Sequence, residues 1–164
     1  MKKILALIFS LLIINLANAQ NAIAKIKYEE AEEAYAKEDH QTAITKLDEA
    51  EKILKSSNSK ILYLKILSQY KLAETDFAIF QSLKKNCDTY LKKYENAENI
   101  EEKFREVYNI SEAVAKYPAT QEGFNVLTSK HNEKKMKVQE VLNIQKAAAL
   151  IAEKFNTWIP TLDG

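Results

Sequence analysis

Two stretches of the chain, residues 24–57 and 59–92, resemble each other at a fixed offset of 35. Ile26 aligns with Ile61, Tyr28 with Tyr63, Tyr35 with Tyr70, Ala43 with Ala78 and Ile44 with Ile79. A period of this length marks stacked helical units, each unable to bury its apolar face alone. The repeat therefore directs the reading toward a protein that holds other molecules and away from one that transforms them.

The chain has only two glycines, Gly123 and Gly164, and two prolines, Pro118 and Pro160. Breakers this scarce predict helices joined by short connections, and no stretch alternates apolar and polar residues as a half-buried strand would. The fold class expected is all-α. A first helix over 22–37 carries Ile23, Ile26, Ala31, Ala34 and Tyr35 among many charges, and Asp39 is placed to cap the second. Ala43, Ile44, Leu47, Ala50 and Leu54 then form an amphipathic stripe. The third helix, 60–72, is apolar on more of its circumference than any other and should be enclosed on both sides.

Thr75 is the expected cap of the fourth helix, with Asp76 in its first turn and an inward stripe of Phe77, Phe80, Leu83, Cys87, Leu91 and Tyr94. Asn99, three residues before Glu102, matches the cap spacing of a fifth helix. That helix turns Ile100, Phe104, Val107, Val114 and Tyr117 inward and stops at Pro118. The last segment, 120–158, reads helical nearly throughout. Its apolar face is interrupted by the run from Ser129 to Lys135 and resumes at Val138, continuing through Val141, Leu142, Ala148, Ile151, Phe155 and Trp158. Either one long rod projects into water or the helix breaks near 130–134; the spacing favours a break or bend.

Residues 1–19 have the layout of a secretory signal peptide: basic Lys2 and Lys3, an apolar run from Ile4 to Leu16, and Ala17-Asn18-Ala19 before a cut at Gln20. The alternative is an uncleaved anchor, although the run is short for a span of roughly 20 apolar residues. Gln20 stands where a lipoprotein would need cysteine, so no lipid attachment is expected. The layout looks bacterial and makes the periplasm or the external medium the destination. Residues 20–164 are then expected to form a single helical domain with no stable membrane anchor.

The chain carries 24 Lys and Arg against 23 Asp and Glu, and loss of Lys2 and Lys3 leaves the acids in excess by one. Such a balance draws the protein to neither nucleic acid nor an anionic membrane. Arg105 is the only arginine, which argues against a phosphate reader. Cys87, the only cysteine, sits on an apolar face and is expected to be a small buried residue; a reactive thiol or an intermolecular disulfide are the alternatives. His40 and His131 are too few for a metal site, and the acids of Glu29-Glu30-Ala31-Glu32-Glu33 spread over several helical faces. No nucleophile elbow, phosphate loop or cysteine pair is present. No catalytic residue, cofactor or metal is expected.

Within 24–57 the chain resembles a tetratricopeptide repeat. That family places small residues in the first helix, twelve later in the second, and seven after that; Ala31, Ala43 and Ala50 stand at those spacings. In the second unit Ala78 keeps its place, while Ile66 and Lys85 occupy the other two. His40 stands where an aromatic is usual. The resemblance covers 22–94 as about two repeats, with 98–117 a possible partial third and the C-terminal helices closing the stack.

The resemblance implies antiparallel helix pairs whose first helices line a groove for a protein or peptide partner. Tyr28, Glu32 and Tyr35, repeated as Tyr63, Leu67 and Tyr70, are the candidate groove residues, with core packing as the other use of the same aromatics. Ala31, Ala43, Ala50 and Ala78 are the candidate packing residues. The function expected is a non-catalytic exported scaffold. The alternatives are a homo-oligomer assembled through Val138 to Trp158, and reversible membrane association through Phe155, Trp158 and Ile159.

Overall fold

The computed structural model describes residues 20–158, so the leader expected over 1–19 and the apolar position Ile159 lie outside the described residues. The chain divides into two compact units at the Tyr117–Pro118 boundary. In the first, α1 spans residues 20–36 and is followed by α2 (His40–Leu54), α3 (Ser59–Leu72), α4 (Phe77–Lys93) and α5 (Glu101–Ala115). The second unit contains α6 (Gln121–Trp158). The protein is all-α, with no strand among the described residues.

Side-chain pairs give the helix directions in the first unit. Lys27 meets Glu49 at 3.0 Å and Glu30 meets Lys46 at 2.8 Å, so α1 and α2 run antiparallel. Lys65 of α3 reaches back to Asp48 and Glu51 of α2 at 2.5 and 2.7 Å, while Leu54 at the end of α2 and Ile61 at the start of α3 line one cavity, so the direction reverses again. Gln69 donates to Ser82 at 3.0 Å and accepts from Asn86 at 2.9 Å, while Lys93 donates to the Ser57 carbonyl at 2.8 Å; α4 is therefore antiparallel to α3. Tyr63 bonds Glu106, and Tyr117 bonds Glu74 at 2.6 Å, both across a separation of 43 residues. Equal separations at two points mean that α3 and α5 run parallel. The second step of the stack is eight residues longer than the 35 of the sequence repeat, and residues 94–100 link α4 to α5 within it.

The core begins with Ala31, Leu47, Ala50, Ile61 and Leu64, contributed by α1, α2 and α3, with Tyr28, Tyr35 and Leu54 packed against them. Ala31, Ala43, Leu47 and Ala50 are fully buried, which lets α1 and α2 approach closely at the alanines. As expected, α3 is the enclosed helix: Ile61, Leu62, Leu64, Ile66, Ser68 and Gln69 are buried, and it packs against α2, α4 and α5. Asp39 caps α2 by accepting from the Thr42 amide at 3.1 Å; hydrogen bonding with the Thr42 side chain first, and with that amide second, holds its carboxyl below the usual range.

Several expectations need correction. Asp76, and not Thr75, caps α4: its carboxylate accepts from the amides of Ala78 and Ile79, while the Thr75 hydroxyl turns back to the Leu72 carbonyl. Both side chains are capable caps, and a shift of one residue decides which faces the free amides. Asn99 does not cap α5. It occupies the left-handed region at φ 59°, and Ile100 precedes the helix with no side-chain cap bond. Glu38 and Lys55 take the same left-handed conformation after α1 and α2, positions where glycine is the usual choice and this chain has none.

Phase also differs at the ends of the stack. Ile23 and Ile26 are about half exposed, at 49% and 51%, whereas Ala24, Ala31 and Ala34 form the buried edge of α1. Tyr90 on α4 and Ile110 on α5 are buried and were missing from the stripes expected there. Ala78 is exposed, and α4 buries Phe80, Leu83, Cys87 and Tyr90 instead. The first turn of α4 simply faces solvent at that position.

The second unit corrects the expected break near 130–134: α6 is one helix of 38 residues, roughly 57 Å long at about 1.5 Å per residue. The run from Ser129 to Lys135 contains no proline or glycine and three lysines that favour helix. Its polarity reports exposure to water and not an interruption of the backbone. Gly123 is required near the start, because a Cβ there would stand 2.7 Å from the Pro118 Cβ.

Candidate functional site

Parallel α1, α3 and α5 bring their first turns to one end of the first unit, and a cavity of about 610 Å³ opens there. Ala24, Tyr28 and Glu32 of α1, Leu54 at the end of α2, Ile61 of α3 and Lys103 of α5 bound it. The floor is apolar because Ala24 and Ile61 are buried, while Lys25, Glu29 and Lys60 add charges of both signs to the rim. Tyr28 is half-buried; burial first, and its hydrogen bond with Glu32 second, push its hydroxyl up to about 12. It stays a neutral donor throughout the physiological range.

Next to the cavity on the same helices lies a second cluster. The Tyr63 hydroxyl donates to Glu106, and the Lys103 ammonium lies 5.1 Å from the Tyr63 ring centroid. Burial, followed by the Glu106 carboxylate, raises the Tyr63 hydroxyl well above its usual range. Tyr35 is half-buried and also feels the charge of Glu106, while its ring stacks at a tilt on His40 with centroids 5.1 Å apart. Further along α3, Tyr70 is 42% exposed, and Leu67 is half-buried.

Of the six groove residues expected from sequence, the cavity lining thus takes in Tyr28 and Glu32. Tyr35 and Tyr63 stand beside it, and Tyr70 and Leu67 lie farther along α3. Tyr28 and Tyr35 pack against the core with one side and are partly exposed on the other. Sequence reasoning missed Lys60, Lys103 and Glu106. The last two belong to α5, which falls in register only at the offset of 43, and the repeat of 35 could not point to them.

Behind Tyr63 the Tyr90 ring is fully buried, 6.3 Å away between centroids, and its hydroxyl has no hydrogen-bond partner among the described residues. An unpaired buried hydroxyl destabilises. Tyr90→Phe is therefore expected to raise stability by about 1 kcal/mol, read as a higher urea midpoint. An unchanged or lower midpoint would mean that the hydroxyl is satisfied in solution.

The acidic run of α1 is dispersed among different partners. Glu29 pairs with Lys25 at 3.6 Å, Glu30 with Lys46 and Lys27, and Glu33 with Lys37 at 2.7 Å. Glu49, then Glu30, raise the Lys27 ammonium above its usual range. No group of three metal-ligating side chains occurs among the described residues. Cys87 is fully buried, and burial pushes its thiol up to about 12, so it lacks the accessible thiolate that reactivity requires. Comparison with family models, with curated proteins and with solved structures finds no match to this chain.

Proposed function

We propose that the protein is an exported, non-catalytic adaptor that holds a protein or peptide segment against the face shared by α1, α3 and α5. The observation that carries this reading is the cavity of about 610 Å³ between Tyr28, Glu32, Ile61 and Lys103. It joins an apolar floor to the ring and polar tip of Tyr28, a combination suited to contact surfaces. The tetratricopeptide-like reading of 22–94 is supported by full burial of Ala31, Ala43 and Ala50 at the spacings that family uses. Parallel first helices beside antiparallel second ones support it as well. Rim charges of both signs, Lys25, Lys60 and Lys103 with Glu29 and Glu32, suit a polypeptide better than a polyanion.

Export is supported by the leader layout of 1–19. No helix among the described residues is long and apolar enough to cross a membrane.

The test is site-specific photo-cross-linking in the native cell. A photoreactive residue at Glu32 or Lys60, both in the cavity lining, is expected to capture a partner, whereas one at Lys52 or Lys85, exposed on α2 and α4, is not. Combining the Glu32 probe with Tyr28→Ala and Tyr63→Ala should cut the adduct at least about tenfold, the equivalent of roughly 1.4 kcal/mol. Loss of cooperative melting in that variant would assign the rings to the core. Equal capture from all four positions would remove the groove.

A further inference from the structure

The second unit carries a feature that the groove does not use. Val141, Ile144, Ala148, Ile151, Phe155 and Trp158 follow one another at spacings of three, four, three, four and three. That is the 3.5-residue seam by which one helix packs along another. Yet α6 is the only helix among the described residues of its unit, and Ile144, Ile151, Phe155 and Trp158 are 63%, 68%, 58% and 62% exposed.

We propose that this seam pairs antiparallel with the same seam of a second copy of the chain. Side-chain size argues for both the occupant and the direction. Antiparallel pairing sets Trp158 against Val141, Phe155 against Ile144 and Ile151 against Ala148, a large residue facing a smaller one in every layer. A parallel pair would crowd Trp158 on Trp158 and Phe155 on Phe155 at one end and leave Ala148 opposite Ala148, a gap between larger layers. Interdigitated large and small residues reach interior packing density, and matched sizes do not.

Charge agrees with size. Glu140 and Lys154 lie two heptads apart on the same flank of the seam. Two-fold antiparallel pairing brings Glu140 of each copy opposite Lys154 of the other, twice by symmetry. A parallel pair would set Glu140 against Gln145 and form no ion pair there. The area is adequate: four aromatic rings of about 150–250 Å² each, about three-fifths exposed, bring roughly 350–600 Å² before the aliphatic residues are counted. With those included, the interface approaches the ~1,200 Å² at the low end for a specific pair.

The test uses the full chain from Gln20 onward with Ile144→Cys in one preparation and Phe155→Cys in another. Native Cys87 is buried and its thiol is pushed up to about 12, so it stays silent under mild copper–phenanthroline oxidation. Mixing the two preparations should give at least about tenfold more disulfide-linked dimer than either alone, since sulfurs join only where the Cα atoms come within ~7 Å. Emission of Trp158, the only tryptophan, should shift to the blue as concentration rises. Linkage of the Phe155→Cys preparation with itself, equal to that of the mixture, overturns the antiparallel direction. A monomer by light scattering into the millimolar range overturns the pairing itself and leaves the groove untouched. Both positions are exposed, and unchanged helical ellipticity in each variant excludes misfolding as the cause.

Discussion

Phe80→Ala is expected to remove about 3–5 kcal/mol of stability, the range for emptying a buried phenylalanine site. Phe80 is 1% exposed on α4. Its ring stacks near Phe77 with centroids 6.1 Å apart and meets Tyr117 at 5.5 Å, and the Lys84 ammonium lies 5.7 Å from its centroid. Truncation leaves a cavity bounded by two rigid rings that cannot collapse into it, which places the cost toward the upper part of that range. Against a total of about 5–15 kcal/mol for a domain, the loss is large enough to populate the unfolded state. Equilibrium urea denaturation followed by far-UV ellipticity is the measurement; Trp158 fluorescence is unsuited, because that residue belongs to the other unit. A loss below about 1 kcal/mol would show that Phe80 is not enclosed in solution, since exposed sites change stability by only about half of that.

The second large effect is a contrast between two alanines that the repeat treats as equivalent. Ala43→Leu is expected to cost about 1–3 kcal/mol, because extra carbons must be forced into a filled space. Ala78→Leu, at the position 35 residues later, is expected to stay within about 0.5 kcal/mol. Ala43 is fully buried at the start of α2, beside buried Ile44. Ala78 is exposed in the first turn of α4, where its amide is held by Asp76 at 2.6 Å and its methyl group points to solvent. Thermal melts of the two variants under one condition decide the matter. Equal destabilisation would mean that α4 packs through Ala78, as the sequence repeat implies.

Those two alanines also mark how far the sequence could be read. The stripe of Ala43, Ile44, Leu47 and Ala50 was legible because α2 is short, capped by Asp39 and buried on one side only. Enclosure of α3 was legible because its apolar residues spread around the helix, which only a helix covered on several sides can bury. The phase of α1 was harder. Ile23 and Ile26 are as apolar as Ile61, but α1 stands at the edge of the described stack, and Ile26 at 51% exposure has no helix to cover it where Ile61 at 2% does. Hydrophobic character states what a residue could bury and not whether a neighbour is there to bury it.

The candidate site was half legible. Tyr28 and Glu32 were expected in a groove because the tetratricopeptide resemblance implies one lined by first helices, and local geometry puts the two on one helical face. Lys103 and Glu106 were not, because their approach to Tyr63 depends on how α5 is set beside α3 after residues 94–100. No periodicity in the chain encodes that register of 43. The same is true of Asn99, whose side chain suits a cap but whose backbone turns left-handed to redirect the chain into α5.

The sequence by itself determined the class of fold, the order of the first five helices, and the small residues that let α1 and α2 approach. These follow from breaker scarcity, helical periodicity and side-chain volume, all properties of neighbours within a few turns. Only the tertiary structure decided which of two equivalent alanines is buried, that α6 runs unbroken past its polar middle, and which residues of α5 meet Tyr63. The physical reason is common to all three. Burial, helix continuity and cross-helix register are settled by competition among solvent, packing and backbone hydrogen bonding across elements distant in the chain, and the winner is a property of the assembled helices.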